Sequence, residues 1–442
     1  MKKNYFRIIC AILALCFVLP IFAGCAEEVP EETRPVTEPN YSPMKGEGVE
    51  YLTARSFAPD RTAGEVSEDF REAYADFSLK LLNECRGNFE GDALLVSPLS
   101  AMIALAMTAN GAEGDTLAEM ENVLLGGMSV DALNDQLFNY TSSLVSTDDA
   151  KFNLANAVWV TSDPAFRINK NFVKAIENNY DADIISADLP NSIGAINDWC
   201  KEETLGMIPS ILNEGALDEL SVMVLLNALA LDALWADQPN DEACFEGVFN
   251  DKEKATFMWT ECNGYIDGKD VTGIVKNYKG GNYAFLALLP EGDVYDYAAS
   301  LDGKELLKLY DKREQSAHDV EIRAKMPHFS FDCSIEMASV LKNMGMPTAF
   351  DSSAANFSSL GKDTRGNLYI SRVIQKTHID LDNSGTRAAA VTAVIIAAEG
   401  AMPGPMKYYQ VELDRPFIYA IIDTQSGLPI FVGVCDNISG QK

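Results

Sequence analysis

The feature that most restricts the fold is a long apolar segment near the C-terminal end of the chain. From Ala388 to Ala398 the only polar residue is Thr392, and Pro is absent between Thr386 and Ala398. A surface helix needs a polar face, which this segment lacks. When alternate positions are assigned to opposite faces of a strand, the face that contains Thr386 carries no charge. The pattern therefore predicts a strand that can lie inside a sheet with both faces covered.

The composition indicates a folded acidic protein and argues against a nucleic-acid partner. Hydrophobic residues make up 47% of the 442 residues, which is ample for a buried core. The formal net charge is -30, whereas a phosphate-binding surface needs an excess of Lys and Arg. The acidic balance promotes solubility and says little about the fold.

The N-terminal residues 1–24 have the pattern of an export signal. Two lysines precede an apolar run, and a small Ala-Gly pair stands directly before Cys25. This arrangement is similar to that of bacterial lipoproteins, in which acyl chains on the Cys give a durable membrane anchor. Because Phe22 stands where such proteins usually have Leu, cleavage by an ordinary signal peptidase and secretion are the alternative. Both routes place the protein outside the cytoplasm.

An acidic, Pro-rich segment follows the signal. Residues 25–64 are rich in Pro and Glu and lack apolar periodicity, which predicts a solvated tether. The globular domain is expected to span residues 65–442. Its cysteines include no CxxC pair, so neither a metal site nor a disulfide pairing is indicated. Each is expected to be a buried, small hydrophobic side chain.

The order of helical and strand-like patterns predicts an α+β fold. An amphipathic helical pattern occupies residues 68–87, and a Ser-Pro start at Ser97 leads into a helix rich in Ala, Met and Leu. Near-continuous apolar runs at residues 221–235 and 282–290 are typical of strands, and further runs follow towards the C-terminus. Helices concentrated early and strands late favour large, mainly antiparallel sheets over a doubly wound fold.

The sequence lacks the motifs of common catalytic and cofactor sites. It contains no GxSxG, HExxH, Walker or GxGxxG motif. The three histidines, at positions 318, 328 and 378, show no pattern of a nucleophile with a base. His328 and His378 are each predicted to be structural residues on strands. We therefore expect neither an enzyme nor a bound metal or cofactor.

Five stretches, taken in order, resemble motifs of the serpin family. The first resembles the family's Ser-Pro-Leu-Ser helix, the fourth its loop hinge and the fifth its C-terminal strands. The stretches are LLVSPLSAMIALAMTANGAEGDTLAEM, INDWCKEETLGMIPSIL, VLLNALALDALW, SGTRAAAVTAV and DRPFIYAIIDTQSGLPIFVGVCDN. The resemblance covers residues 65 to 438, and it is strong because separate motifs occur in the family's order.

The resemblance implies both a fold and a mechanism. The expected fold is a single domain of three mainly antiparallel sheets and eight to nine helices, with an exposed reactive-centre loop near the C-terminus. In this family a target protease cleaves the loop, and the cut loop inserts as a central strand of the main sheet while the acyl-enzyme is trapped. The segment 386–398 suits insertion, because Pro or a buried charge would oppose it. We expect an irreversible suicide-substrate inhibitor of serine endopeptidases, with cysteine endopeptidases as a further class.

The resemblance also assigns roles to individual residues. The hinge of the loop would comprise Gly385, Thr386, Ala388, Ala389, Ala390 and Thr392. The shutter and breach would comprise Ser97, Ser100, Asn227, Trp235 and Gln375. Gln375 stands where the family usually has His, and its amide can both donate and accept hydrogen bonds. Asn383 stands where the hinge usually has Glu.

The reactive bond is expected fourteen residues after the hinge Gly, at Glu399-Gly400. Because the stretch from Gly400 to Phe417 is about six residues longer than in well-known members, Ala398 and Ala397 are alternatives. Glu399 would suit a Glu-preferring protease, whereas either Ala would suit elastase-like or subtilisin-like pockets.

The sequence leaves three alternative hypotheses for the function. The first is the inhibitor, a monomer tethered to the membrane whose partner is a target endopeptidase. The second is a non-inhibitory serpin-fold module that binds at the cell surface. Prolines within residues 386–396 would favour this second function, and none occurs. The third, a hydrolytic enzyme, is weakened by the isolated histidines.

Overall fold

The helices lie mainly in the first half of the chain. The structure, a computed structural model, describes residues 49–53, 61–87, 94–386 and 407–438. No helix in these ranges is long and apolar enough to cross a bilayer. The helices are α1 (Glu68–Arg86), α2 (Pro98–Ala109), α3 (Gly114–Leu125), α4 (Val130–Ser143), α5 (Lys170–Tyr180), α6 (Ile193–Glu203), α7 (Val294–Ser300), α8 (Gly303–Asp311) and α9 (Ala338–Met344).

The Ser-Pro signal at the start of α2 acts as predicted. The Ser97 side chain accepts a hydrogen bond from the Ser100 backbone N–H, and Pro98 occupies the first turn. A Ser N-cap satisfies one of the free N–H groups at a helix start, and Pro fits there because it needs no N–H partner. α2 therefore begins at the residue that the sequence indicates, and this places Ser97 at the junction between a strand and a buried helix.

The main sheet contains strands from distant parts of the chain. They are β1 (Glu50–Thr53), β3 (Ala150–Thr161), β5 (Asp183–Ala187), β6 (Met223–Leu234), β14 (Phe329–Glu336), β16 (Ile374–Leu381) and β17 (Gly385–Thr386). Their order across the sheet is β1-β5-β3-β6-β17-β16-β14. The pairs are antiparallel except that β3 and β5 run in parallel.

A second large sheet packs behind the main one. Its strands are β2 (Leu94–Val96), β9 (Gly264–Gly268), β10 (Val271–Asn277), β11 (Tyr283–Pro290), β12 (Glu314–Gln315), β19 (Phe417–Asp423) and β20 (Pro429–Cys435). They lie in the order β12-β9-β10-β11-β19-β20-β2. β11, β19 and β20 are buried along their whole length, as the continuous apolar runs in the sequence predict.

Two smaller sheets complete the described architecture. The third sheet has the order β18-β13-β8-β7, and a two-stranded ribbon joins β15 to β4. The strands are β4 (Phe166–Ile168), β7 (Cys244–Phe249), β8 (Glu253–Glu261), β13 (Val320–Pro327), β15 (Gly361–Asp363) and β18 (Lys407–Glu412). With three larger sheets and helices around them, the predicted α+β fold is confirmed.

Hydrophobic cores cover both faces of the main sheet. On one face Leu229 and Leu231 of β6 belong to the large core shared with the second sheet. On the other face Leu226 and Ala228 belong to a smaller core beneath α6, which includes Trp159 and Trp199. Because successive residues of a strand point to opposite faces, β6 is apolar on both. This sheet therefore suits strands without a polar face.

Part of the predicted tether is structured. Glu50–Thr53 form β1, which pairs antiparallel with β5 at the edge of the main sheet. The expectation of a solvated tether over residues 25–64 is therefore wrong for these residues. The short Glu-Tyr-Leu-Thr stretch at residues 50–53 carries no strand signal that stands out from its Pro-rich surroundings. It forms a strand because an exposed sheet edge can pair with an extended segment that reaches it.

Candidate functional site

The predicted hinge begins as a strand in the middle of the main sheet. Thr386 pairs with Ala233 of β6 on one side and with Leu381 of β16 on the other, while Gly385 pairs with Leu234. Neighbouring strands lie about 4.8 Å apart, so β6 and β16 are separated here by the width of one strand. The two residues of β17 thus join the halves of the main sheet.

Among the described residues, β17 is the only strand that pairs with both β6 and β16. β6 pairs with β3 and β16 pairs with β14, but the described residues contain no ladder between β6 and β16 themselves. We call the strand position between β6 and β16, continuing from Thr386, the central gap. Each flanking strand turns one backbone edge towards it, and such edges are templates for pairing with a further strand.

Gly385 makes the closest backbone approach of the hinge. A Cβ at this position would lie 2.0 Å from the carbonyl oxygen of Ala233 and 2.9 Å from the Cα of Leu234. Backbone atoms of a paired strand cannot move aside as a flexible side chain can. Gly385 is therefore required by the close contact between β17 and β6.

Thr386 is buried and held by an aromatic pair. Its hydroxyl is hydrogen-bonded to the Tyr278 hydroxyl, and burial raises the pKa of Tyr278. The Tyr278 ring stacks on Trp235 with centroids 4.5 Å apart and planes 6° from parallel. The Trp235 indole Nε1 donates to the Asp382 carbonyl oxygen at 2.8 Å. Trp235, predicted from the resemblance, thus contacts both the turn before the hinge and the tyrosine behind it.

The turn that leads into β17 is tied to the segment after β6. Gln238 Nε2 donates to the Ser384 carbonyl oxygen at 3.1 Å, and Asn383 Nδ2 donates to Asp241 Oδ1 at 3.0 Å. Within the turn, the Asp382 carboxylate accepts the Ser384 backbone N–H at 2.6 Å. These bonds stabilise the turn in a single conformation. Asn383 stands where the family usually has Glu, and it donates to the Asp241 carboxylate. A Glu at position 383 would be repelled by that carboxylate.

Sequence reasoning missed Lys276, which lies behind Trp235. Its side chain is buried, with Nζ donating to the carbonyl oxygens of Asp237 at 2.9 Å and Glu261 at 3.1 Å. Burial lowers the pKa of Lys276, because the charged form is poorly solvated there. The sequence shows a single Lys within the apolar run of β10. The alternation of residues along a strand does not by itself tell whether such a Lys points into the core or to solvent.

At the shutter, Gln375 forms a reciprocal pair with the backbone of Ser97. The Ser97 N–H donates to Gln375 Oε1 at 3.1 Å, and Gln375 Nε2 donates to the Ser97 carbonyl oxygen at 2.9 Å. The Ser97 hydroxyl donates to the Ile430 carbonyl oxygen at 2.9 Å and caps α2 through Ser100. The structure thus brings Ser97, Ser100 and Gln375 together, and links the main sheet, the second sheet and α2.

Asn227 belongs to a different hydrogen-bonded group. Its Nδ2 donates to Asn156 Oδ1 at 2.7 Å, and Asn156 Nδ2 donates to the Tyr180 carbonyl oxygen at 2.8 Å. Asn227 Oδ1 is buried and finds no hydrogen-bond donor among the described residues. A buried acceptor without a donor costs about 1–3 kcal/mol.

The described cysteines and histidines form no metal centre. Cys85, Cys200, Cys262, Cys333 and Cys435 are buried free thiols, as expected, but Cys244 is half-exposed. Its sulfur lies 3.9 Å from His328 Nε2, and His378 Nδ1 lies 2.8 Å from Asp332 Oδ1. Within the described ranges no group of three or more acidic, Cys or His side chains could hold a metal ion.

Several predicted site residues lie outside the described residues, and their roles stay predictions. They are Cys25, the hinge residues Ala388, Ala389, Ala390 and Thr392, the bond Glu399-Gly400 and its alternatives Ala398 and Ala397.

Comparison with known proteins identifies the family. The sequence model of the serpin (serine protease inhibitor) family matches residues 72–438. The chain belongs to the serpin family. It is 30% identical to the leukocyte elastase inhibitor of Bos taurus over 77% of this chain and 92% of that protein. It is 26% identical to an uncharacterized serpin-like protein of Methanosarcina acetivorans, over 80% of this chain and 83% of the relative.

Solved serpin structures confirm the fold. The native state of the thermophilic serpin tengpin matches with a TM-score of 0.79 and 38% identity, covering 88% of this chain and 99% of tengpin. The predicted family and serpin fold are therefore confirmed. In this serpin the central gap starts at the hinge, and Asn227 and Gln375 belong to the two strands that border it.

Proposed function

We propose that this serpin is an irreversible suicide-substrate inhibitor of serine endopeptidases, with cysteine endopeptidases as a further class, and is not itself an enzyme. The observation that supports this most directly is β17. Its two residues pair with both β6 and β16, and the described residues contain no direct ladder between those strands. A strand that continued from Thr386 would therefore gain backbone partners on both sides.

The proposed reaction begins as ordinary proteolysis. The protease Ser or Cys attacks the carbonyl carbon of Glu399, the peptide bond to Gly400 breaks, and the new α-amino group leaves with the transferred proton. The product is an ester or thioester between protease and inhibitor. Insertion of the freed segment into the central gap then carries the protease away before water can hydrolyse that bond.

The two faces of the central gap suit the segment 386–398. The buried Leu231 and Ile379 line the side towards the large core. On the opposite side, Lys376 Nζ donates to the carbonyl oxygen of Ser210, in the chain segment that follows α6. Other parts of the chain therefore contact β16 on one face at Ile379 and on the opposite face at Lys376. An apolar strand without Pro is the type of segment that such a position accepts.

We further propose that the target is an elastase-like, subtilisin-like or Glu-preferring endopeptidase and that the inhibitor is monomeric. The name of the bovine relative, leukocyte elastase inhibitor, supports a protease partner of the first kind. The choice depends on which bond is cleaved. Cleavage after Ala397 or Ala398 would favour a protease with a small specificity pocket. Cleavage after Glu399 would favour a protease whose specificity pocket is basic.

We also propose that the protein acts outside the cytoplasm, anchored through lipid on Cys25. The export pattern of residues 1–24 supports this, with secretion as the alternative. Mass spectrometry of the native N-terminus tests it, because lipidation adds the mass of the acyl chains to Cys25. A mature N-terminus without that mass would leave only the secreted form.

The inhibitor proposal is tested by mixing residues 49–442 with elastase-, subtilisin- and Glu-specific proteases and looking for an adduct that survives SDS. The released C-terminal peptide is sequenced to locate the bond. We expect an adduct with wild type and simple cleavage with Thr386→Arg, because Thr386 is buried against Tyr278. Cleavage of wild type without an adduct, and without a gain in thermal stability, would leave the non-inhibitory binding module as the function.

A further inference from the structure

Three sheets of the described structure meet at the side chain of Lys276. Lys276 lies on β10 of the second sheet and is 1% exposed. Its Nζ donates at 2.9 Å to the carbonyl oxygen of Asp237, which follows the end of β6 in the main sheet. It also donates at 3.1 Å to the carbonyl oxygen of Glu261, the last residue of β8 in the third sheet. One side-chain nitrogen therefore joins chain from all three sheets.

The position of Lys276 on β10 is one that an apolar side chain would also fill. Ile274 and Tyr278 alternate with Lys276, and both are fully buried. A charge in such a place costs free energy unless it is hydrogen-bonded. A Met would fill a similar volume but could not donate to either carbonyl oxygen. The two hydrogen bonds are therefore what distinguishes Lys276 from an apolar residue at this position.

The chain that accepts one of these bonds also holds the hinge turn, residues 382–384. Residues 235–238 form three hydrogen bonds to this turn. They run from the Trp235 backbone N–H to the Ser384 carbonyl oxygen at 2.9 Å, from Trp235 Nε1 to the Asp382 carbonyl oxygen at 2.8 Å, and from Gln238 Nε2 to the Ser384 carbonyl oxygen at 3.1 Å. Asp237, the acceptor of Lys276, lies within the same four residues. The bond from Lys276 thus helps to set the position of the segment that holds the hinge turn.

Lys276 also contacts the hinge assembly through the ring of Trp235. Its Nζ lies 5.3 Å from the ring centroid. A cation within about 6 Å of an indole face is attracted by the negative charge of the ring face. The same ring stacks on Tyr278, whose hydroxyl is hydrogen-bonded to Thr386. Lys276 therefore acts on the hinge by two routes, the backbone at Asp237 and the Trp235 ring.

We propose that Lys276 is a positioning residue for the hinge, whose protonated side chain holds residues 235–238 and the Trp235 ring in place. Loss of its proton would weaken both contacts. A protonated Lys has three N–H donors, and its charge strengthens the bonds to carbonyl oxygens and the attraction to the indole. The inference goes beyond the proposed function, because it concerns the intact protein and holds whether or not this chain inhibits a protease.

The surroundings of Lys276 place its loss of a proton below the usual pH range of a lysine. Burial lowers the pKa of Lys276 from its ordinary value of 10.5, and the titratable groups that oppose this shift are Cys262, Asp237 and Glu261. Burial raises the pKa of the Cys262 thiol to about 12, so Cys262 stays neutral while Lys276 titrates. The hinge contacts of Lys276 should therefore weaken as the pH rises towards 10.5.

Hydrogen–deuterium exchange of the purified protein tests the positioning role. In Lys276→Met we expect the backbone N–H of Trp235, bonded to Ser384, to exchange about tenfold faster than in wild type. Lys276→Arg retains the charge and the N–H donors, so its exchange should stay within about twofold of wild type. The exposed Lys279→Met is the matched control and should leave this exchange unchanged. Wild-type exchange in Lys276→Met, or equal acceleration in Lys279→Met, would overturn the proposal.

A pH titration of tryptophan fluorescence tests the role of the proton without disturbing the packing. Between about pH 7.5 and 10.5, wild type should show a step that is absent in Lys276→Met and in Trp235→Phe. The tyrosine stacked on Trp235 stays neutral in this range, because burial raises the pKa of Tyr278. Ionisation of exposed tyrosines is common to all three proteins and is subtracted.

A purely structural role of Lys276 would give faster exchange in Lys276→Met but no fluorescence step. Wild type without a step, or Lys276→Met with the wild-type step, would therefore overturn the proposal. A step that remains in Trp235→Phe would assign it to another tryptophan and would equally contradict the contact with Trp235. All of these measurements use the intact protein, so none of their outcomes decides the adduct test of the proposed function.

Discussion

The hinge and the shutter border the same central gap, but their hydrogen bonding differs. At the hinge, β17 continues the ladder of both neighbours, and the side chains of Trp235 and Tyr278 have partners. At the shutter, Gln375 bonds to the Ser97 backbone through both its amide oxygen and its amide nitrogen, whereas Asn227 Oδ1 has no donor among the described residues. The described part of the hinge therefore has its side-chain hydrogen bonds satisfied, whereas one amide oxygen at the shutter has no donor among the described residues.

Under the proposed mechanism, Gly385 and Thr386 of β17 would be the start of the inserted strand. The hinge holds the first two residues of the strand position firmly enough to set a register. At the shutter, Gln375 attaches β16 to the start of α2, and Asn227 attaches β6 to Asn156 of β3. Mutations at Gly385 and at the partners of Thr386 should therefore act on the intact protein.

The largest effect is expected for Gly385→Ala. The added Cβ would lie 2.0 Å from the Ala233 carbonyl oxygen, so β17 must separate from β6. We expect the free energy of unfolding of the intact protein to fall by about 3 kcal/mol, at the upper end of overpacking effects. Denaturant unfolding measures it. Gly366→Ala is the matched control, because a Cβ there meets nothing within 4 Å, and equal losses in the two variants would contradict the close contact.

Gln375→Met should have the next largest effect. Met has a similar volume but leaves the N–H and carbonyl of Ser97 without their side-chain partner. The Ser97 carbonyl keeps its bond from the Ala101 N–H, but the buried Ser97 N–H loses its partner, which should lower the free energy of unfolding by about 2 kcal/mol. The exposed Gln410→Met is the control. If both variants melt at the wild-type temperature, the Ser97–Gln375 pair does not stabilise the shutter.

Tyr278→Phe tests the hinge with a smaller change. It removes the hydroxyl that is bonded to Thr386 and keeps the ring that stacks on Trp235. A typical buried hydrogen bond contributes about 1 kcal/mol, and the intact protein should lose that much. Tyr369→Phe, at an exposed position, should change little. A loss confined to the cleaved form would mean that the hinge is not complete before cleavage.

The smallest effect concerns pH near the hinge. Burial lowers the pKa of His328, opposed by the negative charges of Asp382 and Asp380. The unfolded chain, with an ordinary pKa of about 6.5, therefore binds the proton more readily than the folded protein. The stability that neutral His328 contributes is complete above pH 6.5 and is lost as the pH falls below it. The wild-type melting temperature should fall more between pH 7.5 and 5.5 than that of His328→Gln; an equal decrease would exclude His328 as the cause.

Local patterns in the sequence were sufficient for the start of α2 and for the α+β class of the fold. Ser97 and Pro98 mark the start of α2 because a cap acts on the residues next to it in the chain. The strand predicted for residues 386–398 also rests on a local pattern, because this segment has neither Pro nor a polar face. The family motifs are also local stretches of sequence. The resemblance based on them predicted the serpin fold and assigned Gln375 and Trp235 to the shutter and breach.

Only the tertiary structure decided which residues meet across the sheet. Nothing in the sequence shows that Tyr278 supports Trp235, that Asn227 bonds to Asn156, or that residues 50–53 complete the sheet edge. These pairs are separated by long stretches of chain, and a strand register is set by backbone pairing between distant segments. The sequence by itself determined that this chain carries a segment suited to a sheet interior, whereas the folded sheet determined that Gly385 and Thr386, at its start, lie between β6 and β16.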